Sequence, residues 1–204
     1  MERTSDSKDQ DRRMAVLPRE SRAARLVGLA LVGFTGGMLG SLAMNVYTRV
    51  LRSANDGREA DGATSGSDRD GRGMQPSQAE DCAEQDAAVR VGSAAYRTLV
   101  GREADAPTER WLGTLAHYAF GAGAGAIYAL ASDNLPALRK GFGSFYGGLV
   151  WAIADEGVVP ALGLSRSPRE IPVAVHAYSL SGHCVYGITL ECVRRLATYS
   201  RGRD

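Results

Sequence analysis

Lysine is almost missing from this 204-residue chain: only Lys8 and Lys140 occur, and arginine supplies the rest of its 24 basic residues. Acidic residues number 23, so the formal net charge is only +1. That balance excludes the basic footprint of a nucleic-acid-binding surface, and no nucleic-acid partner is expected. Cysteine is scarce too. Cys82, Cys184 and Cys192 cannot form an even-numbered framework, which argues against a disulfide-stapled secreted scaffold. Catalytic signatures are also missing: there is no G-x-S-x-G nucleophile elbow, no G-x-x-x-x-G-K phosphate loop and no C-x-x-C pair. The glycines after Phe120 contain a G-x-G, but without the strand and acidic residue that a nucleotide site needs. No cofactor and no metal are expected, and the chain reads as a non-enzyme.

Glycine is plentiful, at 25 residues, and polarity is unevenly spread. Most charges lie before Leu26 or between Arg49 and Arg110, and four stretches are nearly free of them. The first, Leu26–Thr48, has 23 residues without Asp, Glu, Lys or Arg. As a helix it would extend roughly 34 Å, enough to cross a hydrocarbon core of about 30 Å. A cleaved signal is the competing reading, because Ser41-Leu42-Ala43 resembles a small-x-small cleavage site. The apolar run is nevertheless longer than the roughly 7–15 residues such signals carry. The second stretch, Trp111–Ser132, is interrupted only by His117. The third, 141–165, contains Asp155, Glu156 and Pro160, and the fourth, Ile171–Leu190, contains His176 and His183 and ends at Glu191.

The expected architecture is an all-α, polytopic membrane helix bundle with transmembrane helices at 26–48, 111–132, 141–165 and 171–193, in contact with the lipid bilayer. A polar tail is expected at 1–25 and another at 194–204. Residues 49–81 form a loop rich in Gly, Ser, Asp and Arg, with too little apolar surface to offset the entropy of ordering, so disorder is expected there. Within 82–100, Ala88, Val91, Ala95 and Leu99 recur at helical spacing before Gly101, which predicts an amphipathic helix that is interfacial or docked on the bundle. Arginines before Leu26, Arg139 with Lys140, and Arg194, Arg195, Arg201 and Arg203 favour cytoplasmic termini.

Small residues recur four apart at Gly33 and Gly37, Gly36 and Gly40, Gly121 and Gly125, and Gly143 and Gly147. In lipid, apolar surface alone gives helices no drive to associate, so close backbone approach through small residues must supply the packing. Packing within one chain is the simpler reading; a homo-oligomer face is the alternative. Trp111, Tyr118, Tyr128, Tyr178 and Tyr186 include potential interface-belt residues.

All three histidines fall inside expected crossings, where ionisable groups are costly and face a bundle interior or a wet cavity. His117, Asp155, Glu156, His176, His183 and Glu191 are therefore the proton-responsive candidates. His176 and His183 stand seven apart, roughly 10 Å along a helix, whereas two ligands of one zinc each sit about 2 Å from it. A ladder of titratable groups fits that spacing better than a chelate. Adjacent Asp155 and Glu156 diverge by about 100° on an α-helix, so at most one can face any given partner. Pro160 has no amide for the carbonyl of Glu156, which makes a polar notch there.

The run Gly182-His183-Cys184-Val185-Tyr186, followed by Glu191 and Arg194-Arg195, resembles the YagU family of bacterial inner-membrane proteins. Upstream, His117-Tyr118-Ala119-Phe120 with Tyr128, and the segment from Pro160 to Gly163-Leu164, are similar to that family's second and third crossings. The likeness covers roughly residues 111–196 and, more loosely, the first crossing. It implies a multi-pass inner-membrane protein linked to survival at acid pH, and it brings no catalytic residues. Residues 52–81 and the Asp155-Glu156 pair are not part of the likeness. The expected function is thus a non-enzymatic inner-membrane protein contributing to acid tolerance. A membrane scaffold packing through glycine faces is the alternative, and a metal-dependent intramembrane enzyme the weaker one. One unit is expected in particular: His183 coupled to an acidic group of the third crossing.

Overall fold

The computed structural model describes residues 19–62 and 76–201, with side-chain surroundings for 22–54 and 87–199. Among these residues there is no strand. The long helices are α1 (Arg19–Gly62), α2 (Pro76–Val100), α3 (Ala106–Ala131), α4 (Ser144–Ile153) and α5 (Val173–Arg201). Of these, α1 is long and apolar enough over Arg22–Ala54 to cross a membrane. The same length and composition are not reached by α3, whose glycines, tyrosines and His117 dilute its apolar content, or by α4, which has only 10 residues.

Several boundaries differ from the sequence expectation. The expected disorder of 49–81 gives way to helix at 49–62 and 76–81, and residues 63–75 lie outside the described residues. Arg, Ala and Glu are good helix formers and can prolong a hydrogen-bonded ladder without burying a face, so α1 does not stop where its apolar run does. The amphipathic helix likewise begins at Pro76 rather than at residue 82. The polar N-terminal tail expected over 1–25 becomes α1 from Arg19, and the C-terminal tail from 194 is helical to Arg201.

The expected continuous third helix, 141–165, is broken. A 3-10 segment covers Pro136–Gly143, α4 follows, and a π turn at Ala154–Val158 leads into a last helical turn, Val159–Ala161. The π turn has a sequence cause. Pro160 cannot donate to Glu156, and the amide of Val159 reaches back five residues to the carbonyl of Ala154. Before α4, Gly141, Phe142 and Gly143 all lie in the left-handed region, at φ 58°, 57° and 86°. For Phe142 that conformation costs roughly 1–2 kcal/mol. Its ring is held under the guanidinium of Arg195, whose Cζ lies 4.4 Å from the ring centroid.

Local signals position the other ends. Asp105 caps α3 by accepting from the amide of Thr108 at 3.2 Å. The bonds from Thr108, its side chain first and then its amide, hold the Asp105 carboxyl below the usual value of 3.8. Gly101, at φ 75°, ends α2 as a left-handed cap and donates to the carbonyl of Arg97 at 2.9 Å.

Pairing alternates in direction. Gly33 and Gly37 of α1 lie against Gly125 and Gly121 of α3, and a Cβ at either α1 glycine would run into an α3 carbonyl. Farther along, Asn45 donates to Tyr118 Oη at 3.2 Å, which makes α1 and α3 antiparallel. Gly40 lies against Tyr186 and Gly36 against Leu190 of α5. Gly143 and Gly147 meet the backbone at Gly187 and His183, so α4 and α5 are antiparallel as well. Gly92 approaches Leu112 and Gly113 approaches Val89, which docks α2 on the first half of α3.

The apolar character is turned outward. The face of α1 that enters the bundle is Gly33, Gly36, Gly37, Gly40, Ser41 and Met44, while Leu31, Phe34, Met38 and Leu42 are exposed. Phe120 and Ile127 of α3 and Phe145 and Ile153 of α4 are exposed too. Inside lie Met44, Ala124, Tyr128, Tyr146, Tyr186 and Leu190, together with the buried polar residues Ser179, His183 and Glu191. Tyr128, Tyr178 and Tyr186 are therefore core residues rather than interface-belt residues.

Candidate functional site

The π turn is the element that builds the site. It presents both Asp155 and Glu156 to α5, although neighbours on a regular α-helix would diverge. A wider turn reduces the angle between successive side chains, and the two acids take different histidines. Glu156 Oε1 lies 2.5 Å from His176 Nδ1. Asp155 Oδ2 lies 3.5 Å from His183 Nε2 and accepts from Ser179 Oγ at 3.1 Å. The result is a ladder along α5 in the order His176, Ser179, His183, with one carboxylate beside each histidine.

The far side of each imidazole faces a backbone carbonyl. His176 Nε2 is 3.0 Å from the carbonyl oxygen of Pro168, and His183 Nδ1 is 3.1 Å from that of Ser179. Carbonyl and ionised carboxylate oxygens can only accept, so both nitrogens of His176 meet acceptors at hydrogen-bond distance, whereas His183 Nε2 stands farther, at 3.5 Å, from its carboxylate. A neutral imidazole has one N–H and cannot serve two acceptors. The His176–Glu156 pair satisfies both contacts of its ring only by holding one proton more than a neutral imidazole and an ionised carboxylate together hold. The Trp151 ring stands edge-on to His176 with centroids 6.3 Å apart, and its Nε1 is buried without a hydrogen-bond partner. His183 is buried, whereas His176, Asp155 and Glu156 are partly buried.

Glu191 belongs to a second centre. It is fully buried and accepts from Tyr128 Oη at 2.7 Å, from Arg194 Nε at 2.7 Å and Nη2 at 2.9 Å, and from Arg195 Nε at 2.7 Å. Two turns of α5, roughly 12 Å, separate it from His183. Between the centres, the hydroxyls of Tyr146 and Tyr186 donate to the carbonyls of Ala124 and Gly121 at 2.7 and 2.6 Å. His117 of α3 stands edge-on to Tyr118, with ring centroids 5.6 Å apart.

Of the six sequence candidates, four therefore meet in the ladder, Glu191 forms its own centre and His117 packs its ring on Tyr118. Sequence reasoning missed Ser179, Trp151, Tyr128 and the arginine pair as partners. Arg194 and Arg195 stand three and four residues after Glu191, a spacing that signals ion pairing on a helix. Nothing local marked Tyr128. Among the described residues no three His, Cys, Asp or Glu side chains converge where a metal ion could be held. The packing candidates Gly33, Gly37, Gly40, Gly121, Gly125, Gly143 and Gly147 all approach helices of their own chain.

Residues 94–192 match a protein-family model described as a protein of unknown function, DUF1440. That span includes the ladder, Glu191 and Tyr128, and excludes α1 and the two arginines. No curated protein and no solved structure matches the chain.

Proposed function

We propose that this chain is a non-enzymatic, multi-pass protein of the bacterial inner membrane, with cytoplasmic termini, whose ladder of histidines and carboxylates responds to protons and contributes to acid tolerance. The membrane reading is supported by α1 and by the outward apolar side chains of α3 and α4 around a polar, glycine-rich interior. The acid-tolerance reading also draws on the YagU resemblance of residues 111–196.

The observation that carries the proposal is the His176 imidazole held between two acceptors, with His183 beside Asp155 farther along the same helix. Groups that gain a proton in the fold stabilise it in acid, and that stabilisation is lost as pH rises. Asp155 and Glu156 of the π turn are the carboxylates beside the two rings. From α1, Met44 and Thr48, which do not titrate, lie against Gly182 next to His183. Across from the ladder, Arg90 of α2 donates to the carbonyl of Gly163 at 3.3 Å and ties α2 to the loop after the π turn. A neutral His176 keeps a single N–H, so losing its extra proton costs the ring either its contact with Glu156 or its bond to that same loop at Pro168.

Response is favoured over conduction, because tyrosine hydroxyls committed to carbonyls and close glycine contacts separate the ladder from Glu191. The scaffold alternative draws less support, since the packing glycines are used within the chain. The metal-dependent enzyme lacks a ligand set among the described residues.

The test is thermal denaturation of the purified full chain in micelles across a pH series. The wild type should be more stable in acid, and His176→Gln should flatten the dependence. Equal pH profiles for the two proteins would refute the proposal. Proton flux through reconstituted protein would replace response with conduction.

A further inference from the structure

The Glu191 centre holds one cation in an unusual way. Arg194 is consumed by Glu191, through both Nε and Nη2. Arg195 gives Glu191 only its Nε, and its guanidinium lies over the ring of Phe142. No other described residue engages its terminal amino groups, and its side chain is 57% exposed. The guanidinium is thus fixed at one edge and on one face, with its outer edge open. A fork held in this way is prepared for two-point binding of an oxyanion.

Charge and surroundings narrow the ligand. Glu191 offsets only one of Arg194 and Arg195, and Lys140 stands two residues before Phe142, so the corner is net cationic. Ile188 and Cys192, also exposed, share the helical stripe of α5 that carries Arg195, and Phe145 of α4 is exposed one turn beyond Phe142. An anionic group with an apolar tail fits this corner better than a free anion.

We infer that Arg195, set by Glu191 and Phe142, binds the phosphate of an anionic phospholipid headgroup where α4 begins and α5 leaves the bundle. The inference rests on the multi-pass reading, which places this corner at a membrane surface, but it does not depend on the proton response of the ladder. The two are distinguishable because His183→Gln should leave lipid binding intact.

The experiment is native mass spectrometry of the full chain in detergent with short-chain phosphatidylglycerol, the matching phosphatidylcholine, or inorganic phosphate. The wild type should retain phosphatidylglycerol in preference to phosphatidylcholine. Arg195→Lys keeps a charge and a donor for Glu191 but loses the fork, and should retain about tenfold less. Phe142→Leu leaves the bonds to Glu191 in place and should weaken retention in the same direction, which guards against a folding defect in the first variant. Equal retention by wild type, Arg195→Lys and Phe142→Leu would overturn the inference, as would equal retention of the two lipids by the wild type. Displacement of phosphatidylglycerol by equimolar inorganic phosphate would overturn the lipid as the source of the anion.

Discussion

Replacing Glu191 by alanine removes one carboxylate and strands three partners at once. Its two oxygens accept four hydrogen bonds of 2.7 to 2.9 Å, three of them from guanidinium groups and one from Tyr128. Nothing in water competes for those oxygens, because Glu191 has no exposed surface, and the side chain of Arg194 is only 12% exposed. Breaking a buried pair by removing one partner costs about 3–5 kcal/mol, largely through the charge left behind. Glu191→Gln keeps an acceptor for Tyr128 or an arginine but loses the charge assistance, so it should cost about 1–3 kcal/mol. Arg195→Ala, which removes the more exposed cation, should cost no more than about 1 kcal/mol. Reversible unfolding of the full chain in mixed micelles at neutral pH measures all three. The reasoning fails if Glu191→Ala lies within about 1 kcal/mol of wild type, or if Arg195→Ala is the more damaging change.

Three further outcomes follow from the geometry. Gly147→Ala places a Cβ against the carbonyl of His183 and should destabilise by about 1–3 kcal/mol, whereas Gly123→Ala meets nothing within 4 Å and should be neutral or stabilising by about 0.5–1 kcal/mol; unfolding midpoints of the two variants compare them. Asp105→Ala should fray the first turn of α3, seen as faster amide exchange at Thr108. Because the fold lowers the pKa of the Asp105 carboxyl, its contribution is complete above the usual 3.8 and is lost as pH falls through the lowered value, so wild-type exchange there should approach the variant's only in strong acid. Reporter fusions after Asp133 and after Ser165 should label as cytoplasmic and non-cytoplasmic respectively, and the reverse pattern would contradict the orientation read from the arginines.

The helical class and the sites of the long helices were legible because charge-free runs of membrane-spanning length are a coarse, robust signal. The spacing of His176 and His183 pointed to a ladder, and Pro160 marked the place where the third helix departs from α geometry. What could not be read was the consequence of that departure. The rule that neighbouring side chains diverge allowed only one of Asp155 and Glu156 to face any given partner, and the π turn gives each its own histidine on α5. The end of α1 was misplaced because burial, not local propensity, was used to judge where order stops. Tyr128 escaped because its role depends on Glu191, 63 positions away, and a tyrosine near a helix end reads equally well as an interface anchor.

The central claim is that His176 needs two N–H groups in this arrangement. Nitrogen-15 spectra of histidine-labelled full chain, recorded in micelles from about pH 5 to 8, report ring protonation directly. The His176 ring should carry hydrogen on both nitrogens in acid, or share a proton with Glu156, and give it up as pH rises. A spectrum of neutral His176 with a single N–H, unchanged across that range, would contradict the account.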